Sequence, residues 1–131
     1  MKANLYRVFT ELSDADTKGV AISSPGAVDT EEGVIKGFSA IPYIHHLKII
    51  DELEAMFGLP VTIENVANCA GLAESQFGIG KDSKKSIYFI LGTGIGGAVC
   101  LDGKLYKGSS LYGGEFGFMI IKDGITLSNL A

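Results

Sequence analysis

The sequence predicts an α/β protein built on a parallel sheet with crossover helices, and three observations carry that prediction. Two short apolar runs, "GVAIS" and "VTIE", have the character of strands covered on both faces. Stretches before, between and after them place apolar residues at helical spacing. Ser24-Pro25-Gly26 stops the first run, and Gly58-Leu59-Pro60 ends the helical stretch before the second. Strand, helix, strand, helix in this order implies parallel pairing through crossovers.

Each element follows from its own residues. Leu5, Val8, Phe9 and Leu12 recur at helical spacing, so the opening segment is expected to be an amphipathic helix ending near "SDAD". "GVAIS" is the first buried strand and stops at Ser24-Pro25-Gly26. "AVDTEEGVIKGF" predicts two short β pieces around a polar turn, with Glu31 and Glu32 solvated. His45 and His46 have no acid or cysteine at metal-ligand spacing and are expected at the start of a helix. That helix carries Leu47, Ile50, Leu53 and Phe57 on one face and ends at Gly58-Leu59-Pro60. "VTIE" is the second buried strand, and Val66, Cys69, Ala73 and Phe77 mark one face of the next helix. "GIGKDSKKS" reads as a linker, being glycine-rich and charged. "SIYFIL" is strand-like and runs into "GTGIGGAVCLDGKLYKG", where Asp102-Gly103 signals a hairpin. The chain therefore divides into the end of one α/β unit and the start of another, and each looks incomplete. A two-stranded sheet is marginal without further strands or packing.

Composition narrows the function classes. With 131 residues, 47% of them apolar, the chain has the size and material of one ordinary globular domain. No apolar run approaches the roughly 18 to 20 residues of a membrane span, and "MKANLYRVFTELSD" lacks the apolar core of a secretion signal. A cytoplasmic protein without membrane contact is expected. Cys69 and Cys100 lie far apart with no Cys-x-x-Cys or Cys/His cluster, so buried thiols are expected, not a disulfide framework or zinc site. A net charge of −4 with interspersed signs offers no basic stripe for nucleic acid. The chain has eighteen glycines, and they cluster after residue 92.

"GTGIGG" satisfies the dinucleotide fingerprint G-x-G-x-x-G through Gly92, Gly94 and Gly97. Its context does not, because "AVCLDGKLY" continues with β character where the fingerprint needs a helix start. A strand, a Gly-Thr-Gly loop and a second strand suit a phosphate cradle in a hairpin, with exposed backbone N–H groups and the Thr93 hydroxyl. The alternative is a tight turn that needs glycine for backbone reasons alone. "GGEFGF" sets Glu115 among small and aromatic residues, where it could accept hydrogen bonds from sugar hydroxyls while Phe116 or Phe118 stacks beneath a ring. A solvated loop acid is the alternative there.

Taken together, "ISSPGAVD", "GVIKGFSAIPYI", "LPVTIENVANCAGLAES", "ILGTGIGGAVCLDGKLYKG" and "GGEFGF" resemble the ROK family of repressors, open reading frames and sugar kinases in order and spacing. The likeness runs from about Lys18 to at least Phe118. It implies the actin-like ATPase (ribonuclease-H-like) fold, with residues 1–78 as a partial first lobe and 79–131 as the start of the second. It implies a small-molecule sugar as ligand, held by Asn65 and Glu115 above a floor at Ser24, Pro25 and Gly26. It also implies that Gly92, Thr93, Gly94 and Gly96 form the second phosphate loop for ATP, with magnesium in intact relatives. Family kinases read Glu-Asn-Asp-Ala-Asn where this chain has Val66, and that aspartate is their general base. Valine has no lone pair, and general-base assistance is typically worth about 10² to 10⁴ in rate. Phe118 stands where many relatives carry a histidine, and neither their cysteine-rich zinc segment nor their Asp-x-Gly-x-Thr loop is in this sequence. The resemblance therefore implies a sugar kinase-like protein of the glucose or β-glucoside type with catalysis lost. The alternative it leaves open is the sugar-sensing domain of a ROK transcriptional regulator. The apolar edge of "GVAIS" further implies a homo-oligomer.

Overall fold

A computed structural model describes residues 1–37, 39 and 41–130, which fold as two compact units divided after Glu64. Phe38 and Ala40, inside the "GVIKGFSAIPYI" motif, and Ala131 lie outside the described residues.

The first unit runs through α1 (Lys2–Leu12), β1 (Val20–Ser24), β2 (Ala27–Asp29), β3 (Val34–Lys36), a 3₁₀ turn (Pro42–Ile44), α2 (Ile49–Phe57) and β4 (Val61–Asn65). β1 and β4 are neighbours in a two-stranded sheet, joined through a crossover that carries the β2–β3 hairpin and α2. In the hairpin Ala27 faces Lys36 and Asp29 faces Val34. Asp29 organises its turn, accepting from the N–H groups of Glu31 and Glu32 and pairing with Lys36 at 2.7 Å. α2 stops as expected, with Gly58 in the left-handed region at φ 68 and its N–H donating to the Glu54 carbonyl. The core gathers Val28, Ile35, Ile44, Ile49, Leu53, Phe57, Val61 and Ile63, and Leu5, Phe9, Val20 and Ile22 pack against it. Phe9 docks α1 by setting its ring 4.7 Å from that of Phe57.

Two expectations for this unit need correction. β4 leaves Thr62 exposed between buried Val61 and Ile63, and β1 is not covered on both faces either: its residues alternate between half-buried and exposed as far as the buried Ser24. Only Val20 and Ile22 reach the core, and a groove of about 470 Å³ opens along the strand, lined by Leu5, Val8, Leu12 and Ala21 among others. His45 and His46 do not begin a helix. Pro42 starts a tight 3₁₀ turn that buries Ile44 and His45; His46 then adopts φ 59, and its N–H donates to the Ile35 carbonyl. That reversal delays the helix to Ile49.

The second unit contains α3 (Val66–Phe77), β5 (Lys85–Leu91), β6 (Ile95–Leu101), β7 (Lys104–Leu105), a 3₁₀ turn (Phe116–Phe118), β8 (Ile120–Lys122), β9 (Ile125–Thr126) and α4 (Leu127–Leu130). β5 and β6 pair antiparallel from Lys85↔Leu101 to Leu91↔Ile95, and β7 follows after the predicted Asp102-Gly103 turn. Asp102 and Gly103 both take positive φ, at 51 and 73, which matches the twist a two-residue hairpin requires.

The inner face of α3 differs from its predicted stripe. Ala67, Asn68, Gly71 and Ser75 are buried, while Phe77 is 90% exposed. Small residues won that face because the helix lies almost on the sheet: a Cβ on Gly71 would collide with Ala98 and the Tyr88 ring. Cys100 is buried, its thiol 3.9 Å from the Gly71 carbonyl, and Cys69 is half-buried; no disulfide joins the two. The expected linker is a hydrogen-bonded turn inside this unit, tied to α3 by the N–H of Gly80 donating to Glu74. Among the described residues no helix is long and apolar enough to cross a membrane.

Candidate functional site

Asn65 ends β4 and begins α3. Its backbone is extended (φ −60, ψ 142), and its Oδ1 accepts from the N–H groups of Ala67 at 2.8 Å and Asn68 at 3.3 Å. Asparagine favours this position because its short amide satisfies the orphan donors of a first helical turn. Val66, the first helical residue, is 49% exposed. The position attracts carboxylates, which the positive end of a helix stabilises, yet no acidic residue stands in the first turn of α3. Packing does not explain the valine.

The Gly-Thr-Gly loop is the tip of the β5–β6 hairpin, between Leu91 and Ile95. The strand that follows removes the dinucleotide reading. Gly92, Thr93 and Gly94 are exposed, and the Gly92 N–H donates to the Gly94 carbonyl at 2.9 Å. Neither Gly92 nor Gly94 has positive φ. A Cβ at Gly92 would meet nothing nearer than the Gly94 carbonyl oxygen at 4.0 Å, and one at Gly94 nothing nearer than the Ser128 hydroxyl at 3.6 Å. The fold requires neither glycine, so the tight-turn alternative loses its physical basis here.

Two further glycines are fixed by packing. A Cβ at Gly96 would stand 2.8 Å from the Ala67 methyl, so the strand meets the first turn of α3 there. One at Gly97 would collide with the Phe116 ring and lie 2.5 Å from the Gly114 carbonyl. Successive residues of a strand face opposite sides. The segments carrying Asn65 and Glu115 therefore reach the same end of β6 from its two faces. Ser128 anchors that end, its hydroxyl accepting from the Ile95 N–H at 3.1 Å and lying 3.3 Å from the Ile95 carbonyl.

Glu115 precedes the 3₁₀ turn Phe116–Phe118 and is half-buried, which is not the setting of a solvated loop acid. Burial pushes its carboxyl above the usual carboxylate range. No hydrogen bond or ion pair among the described residues engages the carboxylate. Phe116 is committed to the sheet, its ring 4.7 Å from that of Phe89, so it is unsuited to stacking under a ligand. Phe118 is exposed.

In the first unit, Ser24 is buried, and Gly26 turns the chain from β1 into β2 with φ +99. A Cβ at Gly26 would lie 2.7 Å from Ile35 Cγ2 and 2.9 Å from His45 Cε1. His45 thus backs the Ser24–Gly26 turn, with Nε2 2.8 Å from the Ser39 hydroxyl. Sequence reasoning passed over His45 as a helix-start residue. The available signal was "IPYIH", in which a proline-initiated turn with apolar neighbours carries the histidine inward. Among the described residues no three His, Cys, Asp or Glu side chains cluster to hold a metal.

The ROK family model matches residues 6–127. The beta-glucoside kinase of Listeria monocytogenes is 42% identical over 106 residues, covering 81% of this chain and 36% of that kinase. Among solved structures, a ROK family protein from Streptococcus pneumoniae in complex with sucrose superposes with TM-score 0.78 at 41% identity, covering 97% of this chain and 44% of that one. The glucokinase from Streptomyces griseus in complex with glucose and AMPPNP gives TM-score 0.80 at 29% identity, covering 98% and 43%. The chain spans little more than a third of the kinase's length.

Proposed function

Because the chain belongs to the ROK family and carries part of the actin-like ATPase fold, we propose that it binds a saccharide and the phosphates of ATP without transferring phosphate between them. One observation carries the nucleotide half of this reading: Gly92 and Gly94 are glycines that neither backbone conformation nor packing demands. Glycine at an exposed hairpin tip leaves main chain open to close approach, which suits a phosphate group. We assign residues 1–78 to the first lobe and 79–131 to the start of the second.

For the saccharide, Glu115 supplies a half-buried acceptor without a partner among the described residues. Asn65 has its Oδ1 occupied by the helix start, so its contact to a sugar hydroxyl comes from the amide nitrogen as donor. Within the first unit, the turn at Pro25 and Gly26 is assigned to saccharide contact. Val66 removes the proton acceptor that the attacking hydroxyl requires, so the complex is expected to be unproductive. ATP, when bound, supplies the transferable phosphoryl group. This chain offers no metal-holding cluster among its described residues, so no magnesium ligand is assigned to it.

A cytoplasmic setting, where ATP and sugars are supplied together, fits this reading. The uncovered β1 and the groove beside it fit self-association, and we expect a homo-oligomer at micromolar concentration by sedimentation. A regulator's sensing domain is the second reading, favoured by Val66, since sensing needs ligand binding and not a base. Calorimetric titration of the chain with AMPPNP and with methyl β-glucoside tests the proposal. Saturable binding of both, with no sugar-dependent ADP release from ATP, is expected. Failure to bind either ligand at millimolar concentration overturns it.

A further inference from the structure

We propose that His45 is a saccharide-reading residue, its Nδ1 bonding a ligand hydroxyl held against the Ser24–Gly26 turn. The inference rests on the reading of that turn as part of a sugar site, and it adds a residue that the five sequence motifs did not single out.

His45 is about nine-tenths buried, yet its Nδ1 has no hydrogen-bond partner among the described residues. A buried polar atom left unpaired loses its hydration without compensation, so the orphan calls for an explanation. The other nitrogen, Nε2, is 2.8 Å from the Ser39 hydroxyl, which also accepts from the Ile41 N–H at 3.2 Å. If Ser39 donates to Nε2, then Nδ1 carries the ring proton and is a donor without an acceptor. If Ser39 accepts from Nε2, then Nδ1 is an acceptor without a donor. A hydroxyl both donates and accepts, so it satisfies Nδ1 in either tautomer, whereas an anion satisfies only one.

Placement points the same way. Cε1 lies between the two ring nitrogens and faces Gly26, so the polar edge of the imidazole is turned toward the glycine turn. A neutral hydroxyl, that of Ser39, stands at the other ring nitrogen, and the turn itself carries the buried Ser24. That chemistry suits an uncharged polyol. Nδ1 is closed off in the free chain, so engagement requires a small displacement of the turn as the ligand seats.

The test uses the full chain, ¹⁵N-labelled, titrated with methyl β-glucoside and with cellobiose while the imidazole nitrogens are followed by NMR. At saturation the His45 Nδ1 resonance is expected to shift while Nε2 keeps its position. His45→Gln retains an amide where Nε2 meets Ser39 but offers nothing at Nδ1, and it is expected to bind about tenfold more weakly. An unmoved Nδ1 in the saturated wild type, as a trapped water would give, overturns the inference, as does a folded His45→Gln of unchanged affinity; both leave the family reading standing. If His45→Gln does not fold, the wild-type resonance decides. No saccharide binding by the wild type overturns the sugar-site reading and this inference with it.

Discussion

The tip and the shoulder of the β5–β6 hairpin hold four glycines within six residues, and they are glycines for opposite reasons. At the shoulder, Gly96 and Gly97 admit no side chain, because Ala67 presses on one face of β6 and Phe116 with the Gly114 carbonyl on the other. At the tip, Gly92 and Gly94 have room for a methyl and ordinary backbone angles. A glycine that the fold demands reports on packing. One that the fold merely permits reports on something outside the chain, which here is the proposed phosphate group.

Substitutions can break that contrast or sharpen it. The largest effect is expected at the shoulder: Gly97→Ala should destabilise by about 3 kcal/mol in urea unfolding, since a backbone carbonyl is in the way and cannot rotate aside. Gly96→Ala should cost about 1 to 2 kcal/mol, since only the Ala67 methyl opposes it. Equal, negligible losses at both positions would abolish the distinction.

Asn65→Ala should lose about 1 kcal/mol with the helix cap. Asn65→Ser keeps an oxygen for the cap and loses the amide donors, so unfolding should show near-native stability while calorimetry shows weakened saccharide binding. Should Asn65→Ser bind sugar as the wild type does, Asn65 is a cap and nothing more.

Glu115→Gln should raise stability at neutral pH, and the sign follows from its environment. Burial lifts the folded-state pKa above the unfolded one. Both states are protonated below the unfolded value, so the carboxyl carries no differential penalty there. As pH rises through the folded value, the unfolded chain releases its proton first and native stability is lost. Unfolding midpoints of Glu115→Gln and wild type should coincide near pH 3 and separate at pH 7 in favour of the glutamine. The reverse order would mean that an unseen partner stabilises the carboxylate.

The smallest expected change in stability is at the tip. Gly94→Ala should alter folding by no more than about 0.5 kcal/mol while weakening AMPPNP binding by an order of magnitude or more. Unaltered AMPPNP binding would remove the phosphate assignment.

The hairpins and the stop of α2 were legible in the sequence because single residues dictate them, as at Asp102-Gly103 and Gly58-Leu59-Pro60. The inner face of α3 was not. Hydrophobic periodicity ranks Phe77 above Gly71, but a helix drawn against a sheet selects for smallness, which no apolar count detects. His45 was hidden for a related reason: its burial depends on a 3₁₀ turn that the apolar residues from Leu47 onward disguise as a helix start. Motif order predicted Asn65, Glu115 and the loop glycines as site residues. It could not predict that Asn65 also caps α3 or that Phe116 is spent on Phe89.

The contact between Ala67 and Gly96 has a mechanical consequence. With only a methyl between helix and strand, no layer of long side chains can absorb a shift of one against the other, and close-packed interiors transmit displacement. The first turn of α3 and the strand leaving the glycine loop therefore behave as one stiff lever. If a saccharide bonds Asn65 as proposed, a pull there is expected to reach the base of the loop in the same stroke.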